Sequence, residues 1–313
     1  MVLEFESDAL DPDEPQDVEE VVNYVAAMNH GMERLKTLPV SLRLIREIHE
    51  QLMRNVRGGE RNLGEFRRSQ NWIGPPSGTL KSSTFVPPPP HELQTALGNF
   101  EMFLDKKDPM PVLIKVGLAQ AQFEMIHPFP NGNGRVGRLL ITFLLCEKDI
   151  LKRPLLYLSH FFKQNQTEYY DRLQAVRDDG NWEGWLKYFL RGVFEVSQQA
   201  TSTARQIANL REQHRQQLTE KLRGSAANGL TLLESLFWRP VISVHHASEV
   251  TGLCYPNANN LVSKFEELGL LHEITGQKRN RRFSYDPYLQ LFTDAEPSHP
   301  SSELDVVKTE GAV

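Results

Sequence analysis

A histidine followed by a glycine-rich turn stands near the middle of the chain, in His127-Pro-Phe-Pro-Asn-Gly-Asn-Gly-Arg-Val-Gly-Arg138. Pro128 disfavours helical geometry at the residue before it, so we expect the imidazole on a loop. Gly132-Asn-Gly134 permits positive φ and close backbone approach, which lets successive N–H groups point at one anion. These residue types predict a base beside a phosphate-binding turn.

Arg135 and Arg138 follow that turn and are three residues apart. If a helix starts near Gly134, both guanidinium groups lie on one face beside its N-terminus, where the helix dipole also favours a triphosphate. The same dipole disfavours imidazolium and predicts a neutral His127. The alternative is a plain glycine turn with solvated arginines, but such a turn requires neither the histidine nor two arginines in register.

Helical patterns surround this segment. A short interruption rich in Gly, Ser and Pro, from Gly58 to Pro90, contains two β-prone pieces at 71–73 and 83–86 and predicts a hairpin-like flap within 70–90. Apolar periodicity predicts helices around Val21–Met28, Leu42–Met53, His91–Leu104, Pro111–Ile126, Val136–Lys148, Gln166–Val176 and Trp182–Val196.

The C-terminal third has a different pattern. Gln198–Arg223 is polar and nearly free of Gly and Pro, which predicts an exposed connecting helix. Beyond it the chain predicts three helices and two strands, the order of a winged helix-turn-helix, at Leu230–Phe237, Ala247–Thr251, Pro256–Leu268, Leu271–Ile274 and Arg282–Tyr285. The predicted segments are an acidic flexible lead-in (1–20), a helical domain with its flap (21–196), a connecting helix (197–224), a winged helix-turn-helix (225–292) and a disordered tail (293–313).

Composition limits the class of protein. The 313 residues are 40% hydrophobic and 24% charged, which is typical of a globular chain of two domains. The apolar run Leu139–Cys146 is far shorter than the roughly 20 residues of a membrane span, and the acidic start resembles no secretory signal, so we expect a cytoplasmic protein without membrane contact. Cys146 and Cys254 lack zinc-site spacing. A net charge of -5 argues against general nucleic-acid affinity but leaves a local basic patch open.

The segment from His127 to Arg138 resembles the signature of the Fic family, HPFx(D/E)GNGRxxR, and differs from it at one specified position. The resemblance extends to Gly64-Glu-Phe-Arg67, Gln70–Gly74 and Phe85–Pro90 before the motif and to Asn165, Tyr169 and Tyr170 after it. It covers roughly residues 20–195, and the predicted winged helix is similar to that of a common bacterial Fic architecture. It implies the Fic helical fold with a β-hairpin flap.

The resemblance also implies an activity, the transfer of AMP from ATP to a Ser, Thr or Tyr hydroxyl of a protein, which includes the chain itself. His127 is implied as the base that deprotonates the hydroxyl. The flap at 79–84 is implied to pair with a strand of the target. The residues implied to contact the nucleotide are Asn131, Gly132, Asn133, Gly134, Arg135, Val136, Gly137, Arg138, Tyr169, Tyr170, Lys81, Ser82 and Ser83. Because adjacent helical residues point about 100° apart, we expect one of the two tyrosines to pack in the core.

Asn131 departs from the family pattern, because Asp or Glu holds Mg²⁺ at this position in most active members. An amide oxygen still coordinates a hard cation but brings no negative charge, so we expect weakened use of Mg²⁺. The inhibitory pattern (S/T)xxxE(G/N) of many members has no match in this chain, whose acidic start resembles the stretch that follows such a helix. Two accounts stay open, an unrestrained enzyme and one inhibited in trans by a separate protein.

The sequence leaves three further questions open. The predicted winged helix either binds DNA, through Asn257, Asn259, Asn260 and Lys264 and the basic segment 277–282, or serves as a structural or dimerising appendage, so a homodimer also stays open. A nucleotide-sensing DNA-binding regulator with a weak or inactive catalytic domain is the alternative to an enzyme. Within the enzyme class, UTP, GTP or a phosphocholine donor is the alternative to ATP.

Overall fold

A computed structural model describes residues 15–54, 62–73, 83, 85–107, 109–152, 158–277 and 279–293. The chain divides into two compact units, Met1–Gln198 and Gln199–Val313, and each unit has its own hydrophobic core. The fold is mainly α, as predicted. Among the described helices, none is long and apolar enough to span a membrane.

The first unit consists of helices with one short flap. α1 begins inside the predicted lead-in of residues 1–20, and α6 lies in a stretch for which no helix was predicted. The helices are α1 (Pro15–Arg34), α2 (Leu42–Leu52), α3 (Pro90–Asp105), α4 (Val112–Ile126), α5 (Asn133–Glu147), α6 (Leu158–Gln164), α7 (Gln166–Asp179) and α8 (Trp182–Leu222). Of α8, residues 182–198 belong to this unit.

Local sequence explains where these helices start and how they pack. The hydroxyl of Ser41 accepts a hydrogen bond from the backbone N–H of Leu44 and so caps α2. Pro90 occupies the first turn of α3, where its missing N–H has no cost. The indole of the fully buried Trp185 donates to the carbonyl of Gly117 at 2.8 Å, which joins α8 to α4. A side chain at Gly117 would come within 2.9 Å of Phe189, so glycine permits the close approach of these helices.

The described part of the flap contains one isolated β-bridge. Ile73 and Phe85 pair in antiparallel fashion, and each backbone N–H donates to the other residue's carbonyl, at 2.9 and 3.0 Å. The two β-prone pieces therefore meet at this pair. Residues 74–82 and 84, which include Lys81, Ser82 and most of the predicted target-binding stretch, lie outside the described residues.

The second unit contains the remainder of α8, a 3-10 turn at Arg223–Ser225, four further helices and a small antiparallel sheet in the order β1-β3-β2. The predicted helices Trp182–Val196 and Gln198–Arg223 are parts of one helix, α8. Neither β1 nor the last helix was predicted. The elements are α9 (Ala226–Leu236), β1 (Val241–Ser243), α10 (Val244–Thr251), α11 (Tyr255–Glu267), β2 (His272–Glu273), β3 (Arg282–Ser284) and α12 (Asp286–Thr293).

The central strand of this sheet carries the core of the second unit. Phe283 on β3 is fully buried and pairs with Ile242 on β1 and Glu273 on β2. Immediately after β3, the buried Tyr285 places its hydroxyl 2.7 Å from Nδ1 of His214 on α8. Burial of the aromatic rings on one face of β3 therefore fixes the sheet against the helices of its own unit.

Candidate active site

His127 lies at the junction of α4 and α5. It caps the C-terminus of α4 in the left-handed conformation, with φ 47° and ψ 60°, and its backbone N–H donates to the Phe123 carbonyl at 2.9 Å. A left-handed backbone at a residue other than glycine costs about 1–2 kcal/mol and is retained where its surroundings enforce it. Although the residue lies on a loop as predicted, its side chain is not displayed to solvent, since it is only 6% exposed.

Burial is the main reason that the imidazole stays neutral. It lowers the pKa of His127 to about 3, and the cationic groups of Arg177 and Arg67 lower it further, against the opposing effect of the Glu124 backbone carbonyl. The predicted neutral state thus has a cause other than the expected helix dipole. In the described part of the chain, Nδ1 of His127 forms no hydrogen bond of good geometry.

Arg67 fixes the backbone around His127. Its buried guanidinium donates to the His127 carbonyl at 2.9 Å and to the Pro88 carbonyl at 2.5 Å, and its own N–H donates to the Pro128 carbonyl at 2.9 Å. Longer contacts reach the carbonyls of Ser69 and Ile126 at 3.4 Å. One side chain therefore ties the histidine loop to the end of the flap, since charge-assisted hydrogen bonds of this kind are strong.

The turn between the histidine and α5 is held at Phe129. The side chain of Asn133 accepts from the Phe129 N–H and donates to its carbonyl, both at 2.8 Å, and Asn71 donates to the same carbonyl at 3.1 Å. Asn133 is fully buried. The motif asparagine thus shapes the loop from inside.

His49 on α2 supports the other side of the loop. Its ring stacks on Phe129 with centroids 3.8 Å apart and planes 2° apart. The Gly64 N–H donates to Nδ1 at 3.0 Å, so the neutral ring carries its proton on Nε2, which lies 3.1 Å from the accepting carbonyl of Asn131. Burial lowers the pKa of His49 to about 4, the Asn131 carbonyl opposes this, and Arg135 adds to it. A neutral, oriented ring results.

Two glycines of the motif are required by space. Gly132 precedes α5 with φ 76°, and a Cβ there would lie 2.8 Å from Sδ of Met53. A Cβ on Gly137 would lie 2.6 Å from a carboxylate oxygen of Glu124. Glycine at 132 therefore serves both the left-handed turn and close packing on α2, and glycine at 137 lets α5 approach α4.

The two motif arginines have different surroundings. Arg135 reaches back toward α1 and α2, where NH1 lies 3.2 Å from a carboxylate oxygen of Glu20 and NH2 lies 3.3 Å from Sδ of Met53. Arg138 is partly buried, and its charge reaches the hydroxyl of Tyr169 on α7. The two arginines therefore have their described neighbours on different helices.

The two tyrosines differ in burial, as expected for neighbours on a helix. Tyr169 is buried in the aromatic core, 5.8 Å from the ring of Trp185, and its hydroxyl accepts from Gln120 at 3.0 Å. Tyr170 is 36% exposed, with its ring 5.2 Å from that of Tyr169. Tyr169 is thus the member of the pair that packs in the core.

Sequence reasoning missed the roles of Arg67, His49 and Asn71. Arg67 and Asn71 fall within the segments that resemble the family, but their partners are backbone carbonyls far along the chain. His49 sits on the apolar face of α2 between Ile48 and Leu52, and that position was the available signal. A histidine on a buried face needs polar partners, which sequence alone does not identify.

A buried histidine at the end of α4 is thus followed directly by a glycine turn that starts α5. Residues 39–145 match the model of the Fic/DOC family. This part of the chain is therefore similar to the Fic/DOC family.

Relatives match over part of their length. The chain is 32% identical over 161 residues to a protein of Aedes aegypti named protein adenylyltransferase Fic, covering 51% of this chain and 28% of that protein. It is 39% identical over 67 residues to a probable protein adenylyltransferase of Aquifex aeolicus, covering 21% of each. The crystal structure of a Fic family protein from Desulfovibrio desulfuricans G20 shares the fold, with a TM-score of 0.54 at 19% identity over 87% of this chain and 76% of that one. The chain spans less than a third of the length of these two curated relatives.

Proposed function

We propose that the chain is a protein adenylyltransferase, which transfers AMP from ATP to a Ser, Thr or Tyr hydroxyl of a protein. The observation that carries this proposal is the neutral His127 held directly before the glycine turn that starts α5. The names of the curated relatives support the same reaction class. The proposed acceptor is defined only as a protein that bears such a hydroxyl.

In the proposed reaction, the hydroxyl oxygen of the target attacks the α-phosphorus of ATP. The bond from that phosphorus to the oxygen bridging to the β-phosphate breaks, pyrophosphate leaves, and the hydroxyl proton passes to the neutral ring of His127. A group with a pKa of about 3 is a weak base, mainly because it is buried, and a bound polyanion offsets the additional lowering of the pKa by the cations at Arg177 and Arg67. Nucleotide binding thereby strengthens the base when it is needed.

The nucleotide is proposed to lie on the first turn of α5. The backbone at Gly132–Gly134 faces the α- and β-phosphates at the positive end of the helix, and Arg138 holds the β- and γ-phosphates. Arg135 joins them only by exchanging the carboxylate of Glu20 for phosphate. Tyr170, the more exposed of the two tyrosines, is proposed to border the adenine. Ser83, Lys81 and Ser82 are proposed to contact the nucleotide from the flap.

The described residues do not fit a protein-held Mg²⁺ site. Among them, no group of three His, Cys, Asp or Glu side chains is placed to bind a metal ion. Asn131 supplies an amide in place of the carboxylate that usually anchors Mg²⁺. Its backbone carbonyl is already occupied by His49. We therefore propose only a weak contribution of Asn131 to metal binding and assign no step of the reaction to the metal.

The test is transfer of label from α-labelled ATP, but not from γ-labelled ATP, to protein in a lysate or to the chain itself. His127→Ala should abolish labelling. His91→Ala is the matched control, because this histidine at the start of α3 has a largely exposed side chain. Label from γ-labelled ATP, or equal labelling by His127→Ala, would refute the proposal. Stronger labelling from UTP, GTP or a phosphocholine donor would assign the same site to another donor.

We propose as a second candidate that the second unit binds duplex DNA as a winged helix-turn-helix. The observation that favours it is the hydrogen bond from Arg281 to Asn259 of α11 at 2.9 Å, which ties the basic segment between β2 and β3 to the candidate recognition helix. Arg279, Arg282 and Asn260 are exposed around this contact. Side chains of these types contact phosphates and base edges.

Fluorescence anisotropy with labelled duplexes of mixed sequence, over a range of salt concentrations, tests this candidate. The double variant Arg279→Ala, Arg282→Ala should weaken binding and reduce the salt slope by about 2, one for each lost phosphate contact. The double variant Lys221→Ala, Arg223→Ala is the matched control, because it removes two exposed positive charges from the same unit outside the basic segment. If the second unit does not bind duplex DNA even at low salt, the candidate is refuted and the alternative of a structural or dimerising appendage is favoured.

A further inference from the structure

Arg177 connects α7 to the flap. Its guanidinium carbon lies 3.3 Å from the centre of the Phe85 ring, a direct cation–π stack. The contact is sheltered from solvent, because Arg177 is only partly exposed and burial lowers the pKa of its guanidinium to about 10. Loss of water strengthens the attraction between a cation and an aromatic face.

The stacked ring belongs to the residue on which the flap depends. Phe85 and Ile73 form the one described backbone pair of the flap, and both hydrogen bonds of that pair run between these two residues. An isolated two-stranded hairpin is marginally stable at best in water. Packing of Arg177 on Phe85 supplies a side-chain contact that such a hairpin needs.

The same guanidinium acts on the candidate base. After burial, the charge of Arg177 is the largest influence that lowers the pKa of His127, followed by Arg67 from the segment before the flap, while the Glu124 carbonyl from α4 opposes both. Glu124 and Tyr169 in turn favour the charged state of Arg177. A pKa of about 10 keeps the guanidinium cationic at neutral pH.

The guanidinium is only partly satisfied by protein groups. NH1 donates to the side-chain oxygen of Gln174, one turn earlier on α7, at 3.2 Å. Nε is buried and, within the described part of the chain, has no hydrogen-bond partner. A buried donor without a protein partner costs free energy, so Nε is available to an acceptor other than the described protein groups.

We propose that Arg177 is a positioning residue for the transfer reaction, which holds the flap through Phe85 and at the same time keeps a positive charge beside His127. This role rests on the proposed adenylyltransferase function. It joins placement of the target strand to the protonation state of the base through one side chain.

Four variants separate the two effects in the full chain. Arg177→Gln removes both the stack and the charge, Arg177→Lys keeps the charge but loses the planar group, and Phe85→Leu removes the ring alone. Arg172→Gln is the matched control on the same helix, since Arg172 forms a partly exposed ion pair with Glu168.

Two measurements need no activity. Hydrogen exchange at the backbone amides of Ile73 and Phe85 reports on the flap, and NMR titration of the His127 ring reports on the base. We expect Arg177→Gln to accelerate exchange at both amides about tenfold, the loss of a sheltered cation–π contact, and to raise the pKa of His127. Arg177→Lys and Phe85→Leu should accelerate exchange while Arg177→Lys leaves the His127 titration near that of the wild type.

The proposal is overturned if Arg177→Gln matches Arg172→Gln in either measurement, because one side chain must do both tasks. If Arg177→Gln does not fold, unchanged exchange in both Arg177→Lys and Phe85→Leu overturns it equally. Label transfer adds a third reading, in which the acidic limb of the pH–rate profile moves to higher pH in Arg177→Gln. A wild-type chain that transfers no label defeats the proposed function, and the exchange and titration results then stand separately.

Discussion

Substitution of Gly132 by alanine tests the geometry of the glycine turn. At φ 76° the backbone is left-handed, a conformation that costs an alanine about 1–2 kcal/mol but costs glycine little. Its Cβ would also meet Sδ of Met53 at 2.8 Å, and overpacking of this kind costs about 1–3 kcal/mol. Gly132→Ala should therefore destabilise the first unit by about 2–5 kcal/mol and reduce label transfer.

A double-mutant cycle with Met53→Ala separates the two contributions. Met53 is only 1% exposed, so Met53→Ala alone should cost about 2–5 kcal/mol. In the double variant the new methyl group enters the space that the methionine leaves, which relieves the clash but not the backbone strain. We expect a coupling energy of about 1–3 kcal/mol in favour of the double variant.

Urea unfolding followed by tryptophan fluorescence measures these energies, since three of the four tryptophans lie in the first unit. Gly98→Ala is the control, because a Cβ at that helical position meets no other atom within 4 Å. If the destabilisation of the double variant equals the sum of the two single destabilisations within about 0.5 kcal/mol, the packing of Met53 against the turn is refuted. A Gly132→Ala variant as stable as Gly98→Ala would refute the left-handed turn as well.

Three further predictions follow from the same site. The pKa values of His49 and His127 are about 4 and about 3 in the folded chain but near 6.5 in the unfolded chain. Below pH 6.5 the unfolded chain therefore binds more protons, and the free energy of unfolding should fall by about 1.4 kcal/mol per pH unit for each histidine until its folded pKa is reached. Urea midpoints against pH measure this slope, and His49→Gln should about halve it. Asn131→Asp should lower the Mg²⁺ concentration for half-maximal labelling about tenfold, and an unchanged metal dependence would refute a role for this position. Glu20→Gln should lower the KM for ATP severalfold by freeing Arg135 from its ion pair, and an unchanged KM would show that Arg135 does not bind the nucleotide.

The helices could be predicted because their signals are local. Apolar spacing and caps such as Ser41 and Pro90 lie within the segment that they order. The left-handed turn before α5 could likewise be predicted from the glycine at position 132. By contrast, β1 contains three residues and gains its pairing only from β3, more than thirty residues later, so no local pattern identifies it.

The candidate site was predicted where chemistry is set by residue type and missed where it is set by distant partners. The neutral state of His127 was expected from a helix terminus, yet it depends mainly on burial and on Arg177 and Arg67. The ion pair of Arg135 with Glu20 joins α5 to a helix more than a hundred residues earlier. The spacing in the motif predicted both arginines at one ligand, but it contains no information on a distant carboxylate such as Glu20 that competes for Arg135.

Within the described part of the chain, the hydrogen bonds of the Arg67 side chain all go to main-chain oxygen atoms, those of His127, Ile126, Pro88 and Ser69. Carbonyl groups are the same whatever residue bears them, so this clamp places few demands on the side chains that it secures. If the proposed transfer function holds, the flap can change sequence, and with it the range of accepted targets, while the backbone beside His127 keeps its position. Under that proposal, one arginine lets the substrates diversify without loss of the chemistry.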